Sequence, residues 1–404
     1  MLVRKIYLNQ IVSFINKPFI KVISGIRRSG KSVLIKLLKN ELLKQGVKKQ
    51  NIIYINFESF EFSDITSAKQ LYNYVKSKIT NKNRYYLLFD EIQEVENWEK
   101  AINSFSVDFN SDIYITGSNS HLLSSELATY LSGRYIQLTI YTLSFQEYLQ
   151  FKKEYSNDNV EDNYTEFEKY LRLGGFPSVH SSSFTQEQTY KIVYDIYSSV
   201  ILRDVIQRYK FRDIELLERV VKYVFDNVGN KFSAKNISDY FKSQNRKLDI
   251  NTIYNYLNAL ESSYIIYRIH RYNIRGKEIL KTNEKYFVGD QSLLYALMGY
   301  KDSLISGVLE NIVMLELKRR GYNVYVGKLD NLEVDFIAEK QNKRIYIQIA
   351  YKMTEQSTIE REYKPLLKIK DNFPKYVLTM DKSWTDTIDG IEHKHIVDFL
   401  LMDY

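Results

Sequence analysis

The sequence predicts an α/β protein built on a parallel sheet, and three segments carry that expectation. A short apolar strand at 19–23 runs into the glycine loop Gly25-Ile26-Arg27-Arg28-Ser29-Gly30-Lys31-Ser32, and then into an amphipathic stretch from Val33 to about Leu43. A second apolar strand, 85–89, ends in Asp90-Glu91. A third, 113–117, ends in Ser118-Asn119-Ser120. Strand, glycine loop and helix form the context that the pattern GxxxxGK[ST] requires. The wholly apolar strand 85–89 is that of a parallel sheet covered on both faces.

Each of these elements has a chemical reading. The glycines let successive backbone N–H groups turn inward around phosphate oxygens, and the N-terminus of the next helix adds partial positive charge. Gly25, Ile26, Arg27, Arg28, Ser29, Gly30, Lys31, Ser32 and Val33 are therefore expected to hold a nucleotide, ATP, with Lys31 at its β- and γ-phosphates and Ser32 on Mg²⁺. Open α/β sheets bind ligands beyond the C-terminal ends of their strands. Asp90 stands there and is expected to organise the Mg²⁺ shell, while Glu91 orients and activates the attacking water. At the tip of the third strand, Ser118 and Asn119 either bond the γ-phosphate or the water, or build a turn. A helix is expected over 122–131, then Arg134 and a strand at 135–138. Arg134 either caps that helix or reaches the γ-phosphate of a neighbour in a homo-oligomer.

The chain has 404 residues, enough for two to three domains. It is 44% hydrophobic and 26% charged, as in globular proteins, and its net charge of +8 permits an anionic partner. The absence of cysteine excludes disulfides, thiolate zinc sites, iron–sulfur clusters and cysteine nucleophiles. The first residues, MLVRKIYLNQIVSF, lack the apolar stretch of a signal peptide. No stretch approaches the roughly 18 apolar residues of a membrane span. The expectation is a cytoplasmic protein without a membrane partner.

Residues 142–211 read as a helical lid, with helices at 144–152, 164–173 and 186–206. Within it Arg203, beside Asp204, is a phosphate contact or a salt-bridge partner. Residues 212–295 show the order of a winged helix: helices at 214–227 and 233–241, a third capped by Asp249, then strands at 265–272 and 278–281 around Arg275-Gly276-Lys277. Arg268, Arg271, Arg275, Lys277, Lys281 and Lys285, interleaved with tyrosines, make a basic stripe suited to a DNA backbone. The other reading is an adaptor or oligomerisation module with a solvated basic face. Residues 296–404 open with a helix carrying Glu310, followed by strands at 323–328, 334–338 and 345–350. Glu310, Asp335 and an acid-x-lysine on the next strand would be a metal-dependent nuclease site. That third element instead reads Gln348-Ile349-Ala350. Lys352 shares the strand face, but an amide cannot replace a metal-binding carboxylate, so a catalytically degenerate nuclease-like α/β domain is expected. His393 and His395 are a pair of metal ligands or surface residues.

Together GIRRSGKS, LLFDEIQ followed by Trp98, TGSNS, SGR before a strand, and LSFQEY resemble AAA-type ATPases of the archaeal and bacterial type. The resemblance extends to Gly174-Gly175-Phe176-Pro177, to Val200-Ile201-Leu202-Arg203-Asp204-Val205, and to LEN and EVDF further on. It implies sheet order 5-1-4-3-2, a P-loop core over 1–141, then the lid, a winged-helix region and a C-terminal domain of unknown function. It also implies Glu91 as catalytic base, Asn119 or Ser118 as sensor, Arg134 as a finger acting in trans, and Pro177 near the adenine. The expected function is a Mg²⁺-dependent, ATP-hydrolysing switch or motor. The alternatives are a nucleotide-gated DNA-binding regulator with a slow or vestigial ATPase, and a nuclease controlled by ATP.

Overall fold

The structure is a computed structural model that describes residues 3–120, 133–155, 161–246, 248–382 and 387–402. The helix expected over 122–131 lies outside these residues. The chain divides into two compact units, 1–142 with 262–264, and 143–261 with 265–404.

The first unit is a five-stranded sheet with helices packed on it. Its elements are α1 (Lys5–Val12), β1 (Ile20–Ser24), α2 (Lys31–Lys44), β2 (Ile52–Asn56), α3 (Ala68–Lys78), β3 (Tyr85–Asp90), α4 (Trp98–Asp108), β4 (Ser111–Gly117) and β5 (Tyr135–Thr139). The strands lie in the order β2-β3-β4-β1-β5, all parallel; counted from the β5 edge this is 5-1-4-3-2. The interior strands β1 and β3 are buried at every residue, whereas the edge strand β2 alternates. Period-two alternation sends Leu87 and Phe89 to the apolar layer under α3 and α4, and Leu88 to the layer under α2. Lys21, a charge in the middle of β1, is buried on Asp112 of β4, which also accepts from the Asn16 N–H and the Tyr114 hydroxyl. This order brings the C-terminal ends of β1, β3 and β4 side by side.

The second unit begins with α5 (Phe145–Tyr155), α6 (Asn163–Leu173) and α7 (Gln186–Val200), the last continued by a π-helix over Ile201–Gln207. The VILRDV segment lies in this wider turn. Three helices follow, α8 (Ile214–Asp226), α9 (Ala234–Ser243) and α10 (Ile250–Ser262), and then β6 (Ile266–Asn273) and β7 (Glu278–Val288). Next come α11 (Ser292–Met298), α12 (Ile305–Arg319), β8 (Asn323–Leu329), β9 (Leu332–Lys340), β10 (Lys343–Ile349) and α13 (Gln356–Leu367). The chain closes with β11 (Lys375–Thr379), β12 (Thr387–Ile388), β13 (Ile391–His395) and α14 (Ile396–Leu401).

Here the structure departs from the expected division. The β6–β7 hairpin is not a free wing: β6 pairs parallel with β8, Arg271 opposite Val326, and the hairpin forms one end of an eight-stranded sheet, β12-β13-β11-β10-β9-β8-β6-β7. The line drawn at 295/296 therefore crosses one sheet. The reason is apolar: β7 runs on through Tyr286, Phe287 and Val288, all at most 1% exposed, and such a strand needs a covered sheet around it. The GGFP corner is internal to this unit. Asp290 accepts from the Gly175 N–H at 2.8 Å, and a Cβ on Gly174 would stand 2.0 Å from the same carboxylate. Among the described residues, no helix is long and apolar enough to cross a membrane.

Candidate nucleotide site

The loop between β1 and α2 is held by backbone that only glycine adopts freely. Gly25 has φ of 145°, and a Cβ there would stand 2.2 Å from the Ile140 carbonyl oxygen; Gly30, at φ of 102°, starts α2. Arg4 straps the loop: its guanidinium donates to the carbonyls of Ser29 (2.9 Å), Tyr141 (2.8 Å) and Thr142 (3.1 Å). The Lys31 ammonium is 3.0 Å from the Gly25 carbonyl, 3.3 Å from that of Ile26 and 3.7 Å from the Glu91 carboxylate. Ser29 Oγ is buried and has no hydrogen-bond partner among the described residues. Arg27 pairs with Glu58 at 2.5 Å, and Arg28 and Val33 are exposed.

The acids lie beside the loop. Asp90 is fully buried; its Oδ1 accepts from Ser32 Oγ at 3.1 Å and from Thr116 Oγ1 at 2.5 Å, and its Oδ2 from the Tyr54 hydroxyl at 3.3 Å. Burial pushes the Asp90 carboxyl above its ordinary pKa, with the hydroxyls of Thr116 and Ser32 pulling the other way. Glu91 sits in the left-handed region, φ of 56°, a conformation unusual for a side chain of this size and concentrated at functional sites. Its N–H donates to Thr116 Oγ1 at 2.9 Å and its carboxylate accepts from Gln93 at 2.5 Å. Ser118 and Asn119 follow β4 directly, and both are buried. Thus Lys31, Ser32, Asp90 and Glu91 come together as one site.

Two further sequence candidates are Arg134 and Pro177. Arg134 is exposed just before β5, its carbonyl accepting from the Ile20 N–H at 2.8 Å. Pro177 belongs to the second unit, where it opens a short turn. Four residues were missed by sequence reasoning: Arg4, Tyr54, Gln93 and Thr116. Thr116 carried a faint signal, as a hydroxyl in an otherwise apolar strand; Arg4 carried none, since one of its partners lies 137 residues away.

Among the described residues, three of the hairpin cations are paired with acids. Arg268 is bound to Glu261 (2.7 Å) and Asn258 (2.6 Å), and Arg275 to Asp330 (2.9 Å). Arg271 is half-buried, Lys277 occupies a left-handed turn, and Lys285 is buried among acids. Its ammonium lies 2.8 Å from Glu310, 3.1 Å from Glu333 and 3.6 Å from Asp335. Burial raises the Glu310 and Asp335 carboxyls above their ordinary pKa, against the pull of Lys285. His393 and His395 are buried rather than at the surface. His393 bonds the Thr379 hydroxyl at 2.8 Å, and His395 accepts from the Val397 N–H at the start of α14.

Comparison with known proteins adds identity to this geometry. An AAA domain matches residues 17–149, and a domain of unknown function (DUF8612) matches 164–304. An uncharacterized protein of Haemophilus influenzae is 43% identical over 403 residues, covering 99% of both chains. The uncharacterized protein MJ1544 of Methanocaldococcus jannaschii is 32% identical over 401 residues, covering 94% of this chain and 86% of that one. Among solved structures, the Walker-type ATPase PABY2304 of Pyrococcus abyssi superposes with a TM-score of 0.53 at 16% identity, over 74% of this chain and 96% of that one. That last likeness is one of fold.

Proposed function

Because the chain belongs to one family with the Haemophilus influenzae protein and MJ1544, and carries an AAA domain, we propose that it is a Mg²⁺-dependent ATPase that works as a nucleotide-driven switch or motor. The observation that carries this reading is the convergence on Asp90: Ser32 lies 3.1 Å from it across the end of the loop, and Glu91 follows it 3.7 Å from Lys31. The site fits its ligands. The buried Ser29 hydroxyl is an unused donor inside the loop, Gly25 and Gly30 keep the backbone clear of side-chain bulk, and a hydroxyl beside a carboxylate is the donor set that hard cations take. Ser32 and Asp90 would hold Mg²⁺, which neutralises charge building on the phosphates. Lys31 would turn from the loop carbonyls to the β- and γ-phosphates. Glu91, fixed through its N–H to Thr116 and its carboxylate to Gln93, would orient the attacking water and accept its proton. Ser118 and Asn119 would sense the γ-phosphate, Pro177 would lie near the adenine, and Arg134 would act on the site of a neighbouring copy.

A DNA-binding role for the hairpin is the weaker reading, because Arg268, Arg275 and Lys285 already have acidic partners. Phosphate release from ATP by the full chain tests the proposal. Wild type should turn over ATP with Mg²⁺, and Glu91→Gln should lose about 10²–10⁴-fold in rate while still binding ATP. Equal turnover in both proteins would overturn the role of Glu91, and none in wild type the ATPase reading itself.

A further inference from the structure

The acidic cluster of the second unit is assembled from three distant stretches of chain. Glu310 comes from α12, Glu333 and Asp335 from β9, and the cation between them, Lys285, from β7. The Lys285 side chain is 4% exposed, and its ammonium has one oxygen from each acid within 3.6 Å. Removing such a cation from water is costly unless the surrounding charges and hydrogen bonds compensate, so a lysine placed here is a built part of the cluster. A second cation, Lys231, holds the outer side of Glu333 at 2.5 Å.

Gln348 agrees independently. Its amide oxygen accepts from the Asp335 N–H at 2.7 Å, and its amide nitrogen donates to the buried Glu362 at 2.7 Å. A carboxylate at 348 could accept from Asp335 but not donate to Glu362; it would set two buried anions against each other. The amide suits a cluster whose positive charge comes from the protein. An open cleft of about 360 Å³, lined by Glu310, Asp335, Lys352 and Glu362 among others, leads to these acids, so ions from solvent have a route to them.

We propose that the Lys285 ammonium is the resident cation of the Glu310–Glu333–Asp335 cluster, so that the cluster takes no divalent metal, and that replacing this lysine by a neutral residue turns it into a divalent-cation site. The charge of the cluster is then balanced from within the protein rather than by an ion from solvent. The proposal is independent of the ATPase reading, and its test omits nucleotide.

The test is thermal unfolding of the full chain, titrated with Mn²⁺ or Ca²⁺, in five forms: wild type, Asp335→Asn, Lys285→Ala, Lys285→Ala with Asp335→Asn, and Lys285→Ala with Glu333→Gln. Wild type should be insensitive to the ions. Lys285→Ala should melt lower without metal and gain about 5–10 °C when the ion reaches about 100 times its Kd. Asp335→Asn should abolish that gain. Should Lys285→Ala alone not fold, the form with Glu333→Gln, which carries one charge fewer, must show the gain. A metal-dependent rise in wild type that Asp335→Asn removes would overturn the proposal. So would Lys285→Ala as stable as wild type without metal, or the lack of any metal response in both foldable lysine variants.

Discussion

Thr116→Val is the sharpest test of how the acid pair is held. The Thr116 hydroxyl donates to Asp90 at 2.5 Å and accepts from the Glu91 N–H at 2.9 Å, and valine keeps the shape while removing both bonds. Losing a hydrogen bond to a buried charged acceptor costs about 1.5–3 kcal/mol, and an unpaired buried N–H about 1–3 kcal/mol more. The sum is about 2.5–6 kcal/mol. At about 2–4 °C per kcal/mol for a unit of this size, the melting temperature should fall by about 5–24 °C. Function should suffer in a particular way. Burial already raises the Asp90 pKa, and the Thr116 bond opposes that rise. Its loss raises the pKa further, so Asp90 stays protonated to higher pH, and affinity for ATP with Mg²⁺ should fall more steeply on acidification than in wild type. Thermal unfolding by circular dichroism and equilibrium ATP binding at several pH values read both effects, and Thr116→Ser should restore most of each. If Thr116→Val lies within about 1 kcal/mol of wild type and binds ATP with the same pH dependence, Thr116 does not position the acids.

Two further outcomes follow from the loop and from Arg134. Gly25→Ala must relieve a 2.2 Å contact with the Ile140 backbone, so it should lose about 2–4 kcal/mol and most ATP affinity, measured by urea unfolding and ligand titration; Gly46→Ala, also at positive φ but with nothing within 4 Å, controls for backbone strain and should keep binding. If Arg134 works on a neighbour, turnover per subunit should rise with protein concentration. Arg134→Ala should bind ATP yet lose most turnover, and mixing it with Lys31→Ala should restore activity. A monomer in ATP with normal turnover in Arg134→Ala would make Arg134 a surface cation.

The nucleotide core was legible in the sequence because its physics is local. A strand buried on both faces has to read as Tyr85–Asp90 does, and a loop that wraps phosphate needs glycines where Gly25 and Gly30 stand. What escaped was non-local. Thr116 reads as an ordinary β-branched strand residue until β3 and β4 are set side by side. The hairpin read as a wing because its own pattern does not reveal that β6 has a second neighbour, β8, some fifty residues on by the register of Arg271 with Val326. Lys285 read as one of several DNA-facing cations because sequence gives a charge and not its partners, which here arrive from positions 310, 333 and 335.

Equilibrium binding of ATP to the full chain, with Mg²⁺ or with EDTA, in wild type and Lys31→Ala, tests the central claim most directly. The account predicts that wild type binds ATP, more tightly with Mg²⁺, and that Lys31→Ala loses at least about tenfold in affinity, the 1.4 kcal/mol expected for removing one phosphate-bound cation. Equal binding by the two proteins, or no binding by wild type in Mg²⁺, would contradict it.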